Sequence, residues 1–317
     1  MKRMLFLGNE PIANSTIGKL SACFDIYRKD GPILWTNSDV EVLWIDLSVS
    51  VDSSLLNNYH NLEIIVICAT GHTNIDMLEI SKRDIKLLSL KNHQDFLKLI
   101  SSSAEHAWAL LLAGNAQITE AHAHVKAGLW DRTHFKKMQL KDKTLGLIGF
   151  GRIGRKLAIY GNAFDMKVLG FDPYLKSKES DLVTCLTSQE EVLANSDFLI
   201  ISASAQTRPS VILGPEQISM LKVNAGLVNI ARGSLVDELE IYNALKNNAI
   251  SFYATDVLAE EDFKHLDLAR NSARELLISS GKALITPHIG GYSSDAREMC
   301  EEHLLEVLLK GSCNCGI

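Results

Sequence analysis

The run Lys143-Thr-Leu-Gly-Leu-Ile-Gly-Phe-Gly-Arg-Ile-Gly-Arg-Lys-Leu-Ala158 leaves little choice of local structure. Leu145 to Ile148 is an apolar run of strand length, and it meets Gly149-x-Gly151-x-x-Gly154 just before a helical pattern opens. A tight turn between strand and helix accounts for all three glycines. Gly149 permits the turn, Gly151 lets a pyrophosphate approach without meeting a Cβ, and Gly154 lets the helix pack close to the strand. The N–H groups of Arg152, Ile153 and Gly154 then point from the helix N-terminus at the phosphates. Met166 to Phe171 reads as the next strand and ends in Asp172, where a carboxylate can accept hydrogen bonds from the adenosine ribose. Asp172 would repel a 2′-phosphate by roughly 4 kcal/mol per unit charge at about 4 Å and an effective dielectric of about 20. NAD is therefore expected over NADP, with Lys176 and Lys178 near enough to soften the preference.

A chain of 317 residues suits two domains of ordinary size. Its net charge of −6, with no basic block, argues against a nucleic-acid surface. No apolar run reaches about eighteen residues, so no membrane span is expected. The start, Met-Lys-Arg-Met-Leu-Phe-Leu-Gly, reads as a first strand and not a signal peptide. Cysteines 23, 68, 185, 300, 313 and 315 are scattered without a Cys-x-x-Cys pair, which suits reduced thiols in a cytoplasm.

From Lys2 to about Ile100, short apolar runs alternate with polar, helix-compatible segments. Leu5–Leu7, Glu41–Ile45, Glu63–Ile67 and Lys86–Leu88 are the candidate strands of a small parallel α/β unit. The loop Ala69-Thr70-Gly71-His72-Thr73-Asn74 follows the third and can offer backbone N–H groups to a carboxylate, or serve simply as a turn before a helix. Ser102-x-x-Glu105 forms a capping box, and the periodic apolar residues behind it predict one helix to about Lys126. That helix carries His106, His122 and His124, whose spacing does not favour metal binding. Beyond the glycine turn, Asp197–Ile201, Leu227–Ile230, Phe252–Val257 and Ala283–Thr286 are further strands, with helices at Pro215–Met220 and Asp237–Lys246. A doubly wound sheet of about six strands results. Asp262 to Lys282 takes no assignment, and Asp295 to Leu309 has helical spacing.

Arg232, Glu261 and His288 stand at or just past the ends of three predicted strands, on the edge where such sheets gather their ligands. Moving a hydride between an alcohol carbon and a nicotinamide requires a base for the hydroxyl proton and a cation for a substrate carboxylate. His288 suits the first need, since histidine titrates near neutrality. Glu261 would tune it by favouring the imidazolium, and Arg232 can grip a carboxylate in a bidentate fork. Each also has a plain reading, as a surface turn residue, a solvated acid or a loop cap.

The segments Leu145–Ala158, Asn229–Asp237, Asp256–Glu261 and Thr286–Gly291 resemble the D-isomer-specific 2-hydroxyacid dehydrogenase family, over roughly residues 60 to 310. The resemblance implies two Rossmann-like α/β domains with doubly wound parallel sheets. Residues 1–100 and 290–317 would form a discontinuous substrate domain, with a dinucleotide-binding domain at 101–289 inserted in it. It implies NAD as cofactor, no metal, catalytic Arg232, Glu261 and His288, and a homodimer formed through the 101–126 helix. Ala231, Asp256, His288 and Gly290 would border the cofactor, Asp256 at its nicotinamide end. Backbone at Thr70, Gly71 and His72 would bind the substrate carboxylate together with Arg232 and His288. Hinges are expected near residues 100 and 290.

The departures are informative. Ser202-Ala203-Ser204 replaces the family's frequent His-x-Pro, and Asp262 replaces the proline after the catalytic Glu. Asp46-Leu47 falls where phosphoglycerate dehydrogenases tend to carry Arg-Ser, which disfavours a phosphorylated substrate. The chain also stops short of their regulatory domain. The expected activity is interconversion of a small 2-oxo acid and its D-2-hydroxy acid. The alternatives are a phosphoglycerate dehydrogenase of serine biosynthesis, an NAD(H)-sensing corepressor-like protein, or a methyltransferase, which leaves Arg232, Glu261 and His288 unexplained.

Overall fold

Short apolar runs, buried on both faces, become the strands of two parallel sheets. The computed structural model describes residues 1–28, 37–72, 74–175, 185–186, 188–203, 211–259, 261 and 272–312. Thr73, Lys176, Lys178, Ser204, Glu260, Asp262, Cys313 and Cys315 lie outside the described residues. Unit 1 takes Met1–Ile100 and the segment from Ser293, and unit 2 takes Ser101–Glu261 and the segment ending at Tyr292.

Unit 1 runs β1 (Lys2–Leu7), α1 (Asn14–Ser21), β2 (Phe24–Arg28), β3 (Val42–Ile45), α2 (Ser53–Leu56), β4 (Ile64–Ile67), α3 (Met77–Lys82), β5 (Lys86–Ser89) and α4 (Gln94–Leu97). The strands pair in parallel in the order β2-β1-β3-β4-β5. Every residue of β3 is buried, as a strand covered on both faces must be. Met4, Trp44 and Val66 face Leu20 and Leu97 on one side, while Leu5, Leu43 and Ile65 face Leu56 and Ile80 on the other. The edge strand β2 was not among the expected strands. Its sequence, Phe-Asp-Ile-Tyr-Arg, mixes charge into a strand that pairs only with β1, and such edges lack the apolar run of a central strand.

Unit 2 runs α5 (Ser102–Ala116), α6 (Ile118–Lys126), β6 (Thr144–Ile148), α7 (Arg152–Ala163), β7 (Lys167–Phe171), β8 (Cys185–Leu186), α8 (Gln189–Asn195), β9 (Phe198–Ile201), α9 (Pro215–Ser219), β10 (Ala225–Asn229), α10 (Glu238–Lys246), β11 (Ile250–Thr255), α11 (Ser272–Ser279) and β12 (Ala283–Ile285). The parallel order is β12-β11-β10-β9-β6-β7-β8. Among the described residues it has seven strands, one more than expected, because two-residue β8 adds to the β7 edge. Both units are doubly wound α/β folds with helices on each face. The last helix, α12 (Ser294–Ser312), packs Leu304, Leu305 and Leu308 into the core of unit 1.

Two expectations about α5 need correction. The single helix to Lys126 is broken at Gln117, which adopts φ +51° and serves as C-cap of α5 and N-cap of α6. Two residues earlier the Asn115 side chain is tied to both backbone groups of Met138, which anchors the end of α5 at that point. The capping box at Ser102 also fails. The N-cap is Ser101, without a side-chain cap bond, and the Ser102 hydroxyl instead donates to the Gly290 carbonyl at 2.6 Å. A buried carbonyl needs that donor more than the helix start does. Within the unassigned stretch 262–282, α11 occupies Ser272–Ser279.

Candidate active site

The strand order of unit 2 reverses between β6 and β9, so their carboxyl ends flank the crevice where such folds hold a ligand. The glycine turn sits there. Gly149 has φ +94°, and a Cβ on it would lie 2.6 Å from the Ala203 backbone just past β9. A Cβ on Gly154 would meet the Gly149 carbonyl at 2.3 Å, whereas one on Gly151 would meet nothing within 4 Å among the described residues. Gly149 and Gly154 are thus required by packing, and Gly151 leaves open space where a pyrophosphate is expected. Gly151 is also the N-cap of α7 and brings no side-chain cap bond to that helix, which opens with Arg152, Ile153 and Gly154. Ser202, which stands where the resembled family often has His, braces the turn by donating from Oγ to the Gly149 carbonyl at 2.9 Å. Asp172 follows β7, accepting the Phe150 N–H at 2.9 Å and the Tyr174 N–H at 3.0 Å. Each carboxylate oxygen retains capacity for a ribose hydroxyl. These features fit an adenosine dinucleotide.

β10, β11 and β12 are neighbours, so the residues that follow them emerge side by side. Asn229, fully buried, shapes the first turn: its side chain accepts the Ala231 N–H and donates to the Arg232 carbonyl, both at 3.0 Å. The Arg232 guanidinium donates back to the Ala231 carbonyl at 2.6 Å. Gly233 then lies against the loop after β11, where a Cβ would be 1.9 Å from the Leu258 carbonyl carbon. That loop leads to Glu261. Glu261 accepts the Leu258 N–H at 2.9 Å through Oε1, and its Oε2 stands 2.5 Å from His288 Nδ1. Buried Glu238 accepts the Ala259 N–H at 2.7 Å, and buried Arg274 donates to the Ala259 carbonyl. Sequence reasoning had assigned no role to Glu238 or Arg274, which lie 21 and 15 residues from their partner.

His288 has φ +55°, a left-handed backbone unusual for a residue with a Cβ. Asp256, 4% exposed, surrounds it with bonds. Its backbone carbonyl accepts the His288 N–H at 3.0 Å. Its Oδ1 accepts from Thr286 Oγ1 at 2.6 Å and the Ile289 N–H at 2.9 Å, and its Oδ2 accepts the Gly290 N–H at 2.7 Å. His106 Nε2 stands 3.2 Å from Oδ1 and 2.9 Å from Thr286 Oγ1. Burial opposes charge on Asp256, but the bonds from His106, Thr286, Gly290 and Ile289 outweigh it and hold the carboxyl below the usual range.

Thr70, Gly71 and His72 belong to unit 1, just past β4. Burial, and then the charge of Lys91, pull the His72 pKa down, and its Nε2 has no hydrogen-bond partner among the described residues. Asp46, directly after β3, is 6% exposed. It accepts the N–H groups of Asn9 at 2.6 Å, Glu10 at 2.8 Å and Ser48 at 2.8 Å, with the Ser48 hydroxyl at 2.5 Å. Among the described residues no group of three or more His, Cys, Asp or Glu could hold a metal ion, and no helix is long and apolar enough to cross a membrane.

Comparison with known proteins agrees with this fold. Residues 108–290 match the D-isomer specific 2-hydroxyacid dehydrogenase, NAD binding domain. The chain is 33% identical over 279 residues to a glyoxylate reductase of Pyrococcus furiosus, covering 86% of this chain and 79% of that one. It is 31% identical to a D-3-phosphoglycerate dehydrogenase of Methanocaldococcus jannaschii, but spans only 50% of that protein's length. In fold it is similar to a D-lactate dehydrogenase from Aquifex aeolicus complexed with NAD and lactic acid, with a TM-score of 0.79, 24% identity, and coverage of 98% of this chain and 96% of that one. A family model that matches residues 108–290 and a relative 33% identical over 86% of this chain show the family: the chain belongs to the D-isomer specific 2-hydroxyacid dehydrogenases, NAD-dependent oxidoreductases.

Proposed function

We propose that the chain reduces a small, unphosphorylated 2-oxo acid of the glyoxylate class to its D-2-hydroxy acid, with His288 as general acid and Arg232 as carboxylate ligand. The 2.5 Å approach of His288 Nδ1 to Glu261 Oε2 carries this reading. Because Glu261 engages Nδ1, the proton exchanged with substrate resides on Nε2. His288 gives that proton to the carbonyl oxygen, and in the oxidative direction takes it back from the hydroxyl. NADH, when bound, supplies the hydride that reduces C2. Arg232, shaped by the Asn229 turn, pairs with the substrate carboxylate and polarises the carbonyl. Gly149, Gly151 and the first residues of α7 hold the pyrophosphate, Asp172 the adenosine ribose, and Ala231 and Gly290 border the ring. Thr70, Gly71 and His72 bind the carboxylate with backbone groups.

The absence of phosphate from the substrate is supported by Asp46, a buried carboxylate where a phosphate site would need a cation. The similarity to glyoxylate reductases supports glyoxylate or a close homologue. Exposed Ile118, Val125 and Trp130, in and just after α6, support a homodimer through the 101–126 region. Free thiols at Cys23 and Cys68 suit the cytoplasm. The test is NADH oxidation with a panel of 2-oxo acids, including 3-phosphohydroxypyruvate, repeated with NADPH. Turnover of glyoxylate, hydroxypyruvate or pyruvate with NADH is expected, and His288→Asn should abolish it. Activity confined to the phosphorylated acid, or a fully active His288→Asn, would refute the reading.

A further inference from the structure

We propose that His106, with Ser102 one turn before it, is a positioning residue that locks the Thr286–Gly290 loop in the strained form presenting His288 to Glu261. The proposal rests on the reading of His288 as the acid–base group. Residues four apart on a helix share a face, and here that face grips both ends of one loop. Ser102 Oγ donates to the Gly290 carbonyl at 2.6 Å, and His106 Nε2 reaches Thr286 Oγ1 at 2.9 Å and Asp256 Oδ1 at 3.2 Å.

Proton counting fixes the direction of these bonds. The Thr286 hydroxyl has one proton, and Asp256 Oδ1 at 2.6 Å claims it over the Thr255 carbonyl at 3.5 Å. Toward His106, Thr286 can therefore only accept, so His106 carries its proton on Nε2 and shares it between the hydroxyl and the carboxylate. Asp256 in turn takes the N–H groups of Ile289 and Gly290. The loop is thus held through one carboxylate whose orientation depends on donors from α5 and Thr286. Left-handed φ at a non-glycine residue persists only where its surroundings over-determine it, and His288, at φ +55°, is such a residue. The low pKa of Asp256 is consistent with this arrangement, since an ionised carboxylate offers acceptors to all four donors.

The experiment compares His106→Ala, His106→Gln, Ser102→Ala and His288→Asn with the parent. Three quantities are read: kcat and KM for NADH and the best 2-oxo acid, thermal midpoint, and amide hydrogen exchange at Ile289 and Gly290 without cofactor. His106→Ala should lower kcat by about 10- to 100-fold, as expected for displacement of a reacting group on the order of 1 Å. Its KM for NADH should stay near the parent value. Exchange should accelerate at Ile289 and Gly290 and stay slow in β6. His106→Gln, which can place an amide N–H near the Nε2 position, should recover most of the loss, and Ser102→Ala should show a milder form of the same pattern. A parent-like kcat in His106→Ala, exchange raised throughout the unit, or no rescue by Gln would overturn the proposal. An active His288→Asn would instead sink the acid–base reading, whereas an inactive His288→Asn beside a parent-like His106→Ala would sink only the positioning role.

Discussion

Gly233→Ala should damage catalysis through a methyl group that touches no substrate. The glycine backbone is not in the left-handed region, so the effect is steric. The new Cβ would lie 1.9 Å from the Leu258 carbonyl carbon and 2.1 Å from the Ala259 nitrogen, both backbone atoms that cannot rotate away. Restoring ordinary contact at 3.4 Å requires a shift of about 3.4 − 1.9 = 1.5 Å, divided between the Arg232 turn and the loop to Glu261. That loop is pinned by Glu238 and Arg274 at Ala259, so much of the shift falls on Arg232 and on the Glu261–His288 pair. Overpacking of this kind costs roughly 1–3 kcal/mol of stability. Misplacement of reacting groups by about 1 Å costs about 10²-fold in rate. Steady-state assays with the preferred 2-oxo acid should therefore show kcat reduced about 100-fold, while NADH binding, read by fluorescence, stays close to the parent because the glycine turn is untouched. A variant with kcat within twofold of the parent would mean that the two turns are not mechanically coupled.

Asp172→Ala should shift the ratio of kcat/KM for NADH over NADPH toward NADPH by about tenfold or more, since it removes the charge that opposes a 2′-phosphate; an unchanged ratio would place the discrimination elsewhere. Asp46→Asn should lose stability, because an amide NH2 would face donors now satisfied by a carboxylate, at about 1–3 kcal/mol for each group left unpaired. Urea unfolding checks this, and a parent-like midpoint would refute it. Tyr253 is fully buried, and burial pushes its phenol up to about 12 while its bonds to Thr255 and Asn229 oppose the rise. An unfolded tyrosine ionises near 10. The contribution of Tyr253 to stability is therefore intact below pH 10 and drains as the pH climbs toward 12, a loss of roughly 2–3 kcal/mol. Tyr253→Phe should flatten that part of the stability–pH curve, and an equally steep fall in the variant would assign it to other groups.

What could be read from the sequence follows the range of the forces involved. The glycine turn and Asp172 were legible because their chemistry is local: strand, turn and helix start lie within sixteen residues, and the acid ends the next strand. The parallel α/β class was legible because central strands such as β6, β9 and β10 are buried throughout and read as mostly apolar runs. Strand β2 was not, because an edge carries polar residues that a helix also tolerates. His106 looked like an idle histidine on a helix, since Thr286, which completes its role, lies 180 residues away. Ser102 was misread for the same reason: a serine before a helix has a local use, and only the fold reveals a buried carbonyl with a stronger claim on it.

The two sheets also show why topology alone does not make a nucleotide site. In unit 1 the strand order reverses between β1 and β3, as it does between β6 and β9 in unit 2, so both have a crevice of the kind that holds ligands. In unit 2 the turn after the first strand carries Gly151, where among the described residues a Cβ would meet nothing within 4 Å, and which as N-cap brings no side-chain bond to the helix start. In unit 1 the corresponding N–H groups, those of Asn9 and Glu10, are already bonded to Asp46 from the neighbouring strand. An anion entering there would meet a carboxylate and lose to it, because the internal group pays no association entropy. One buried acid at the end of β3, already holding those N–H groups, thus separates two sheets of the same winding.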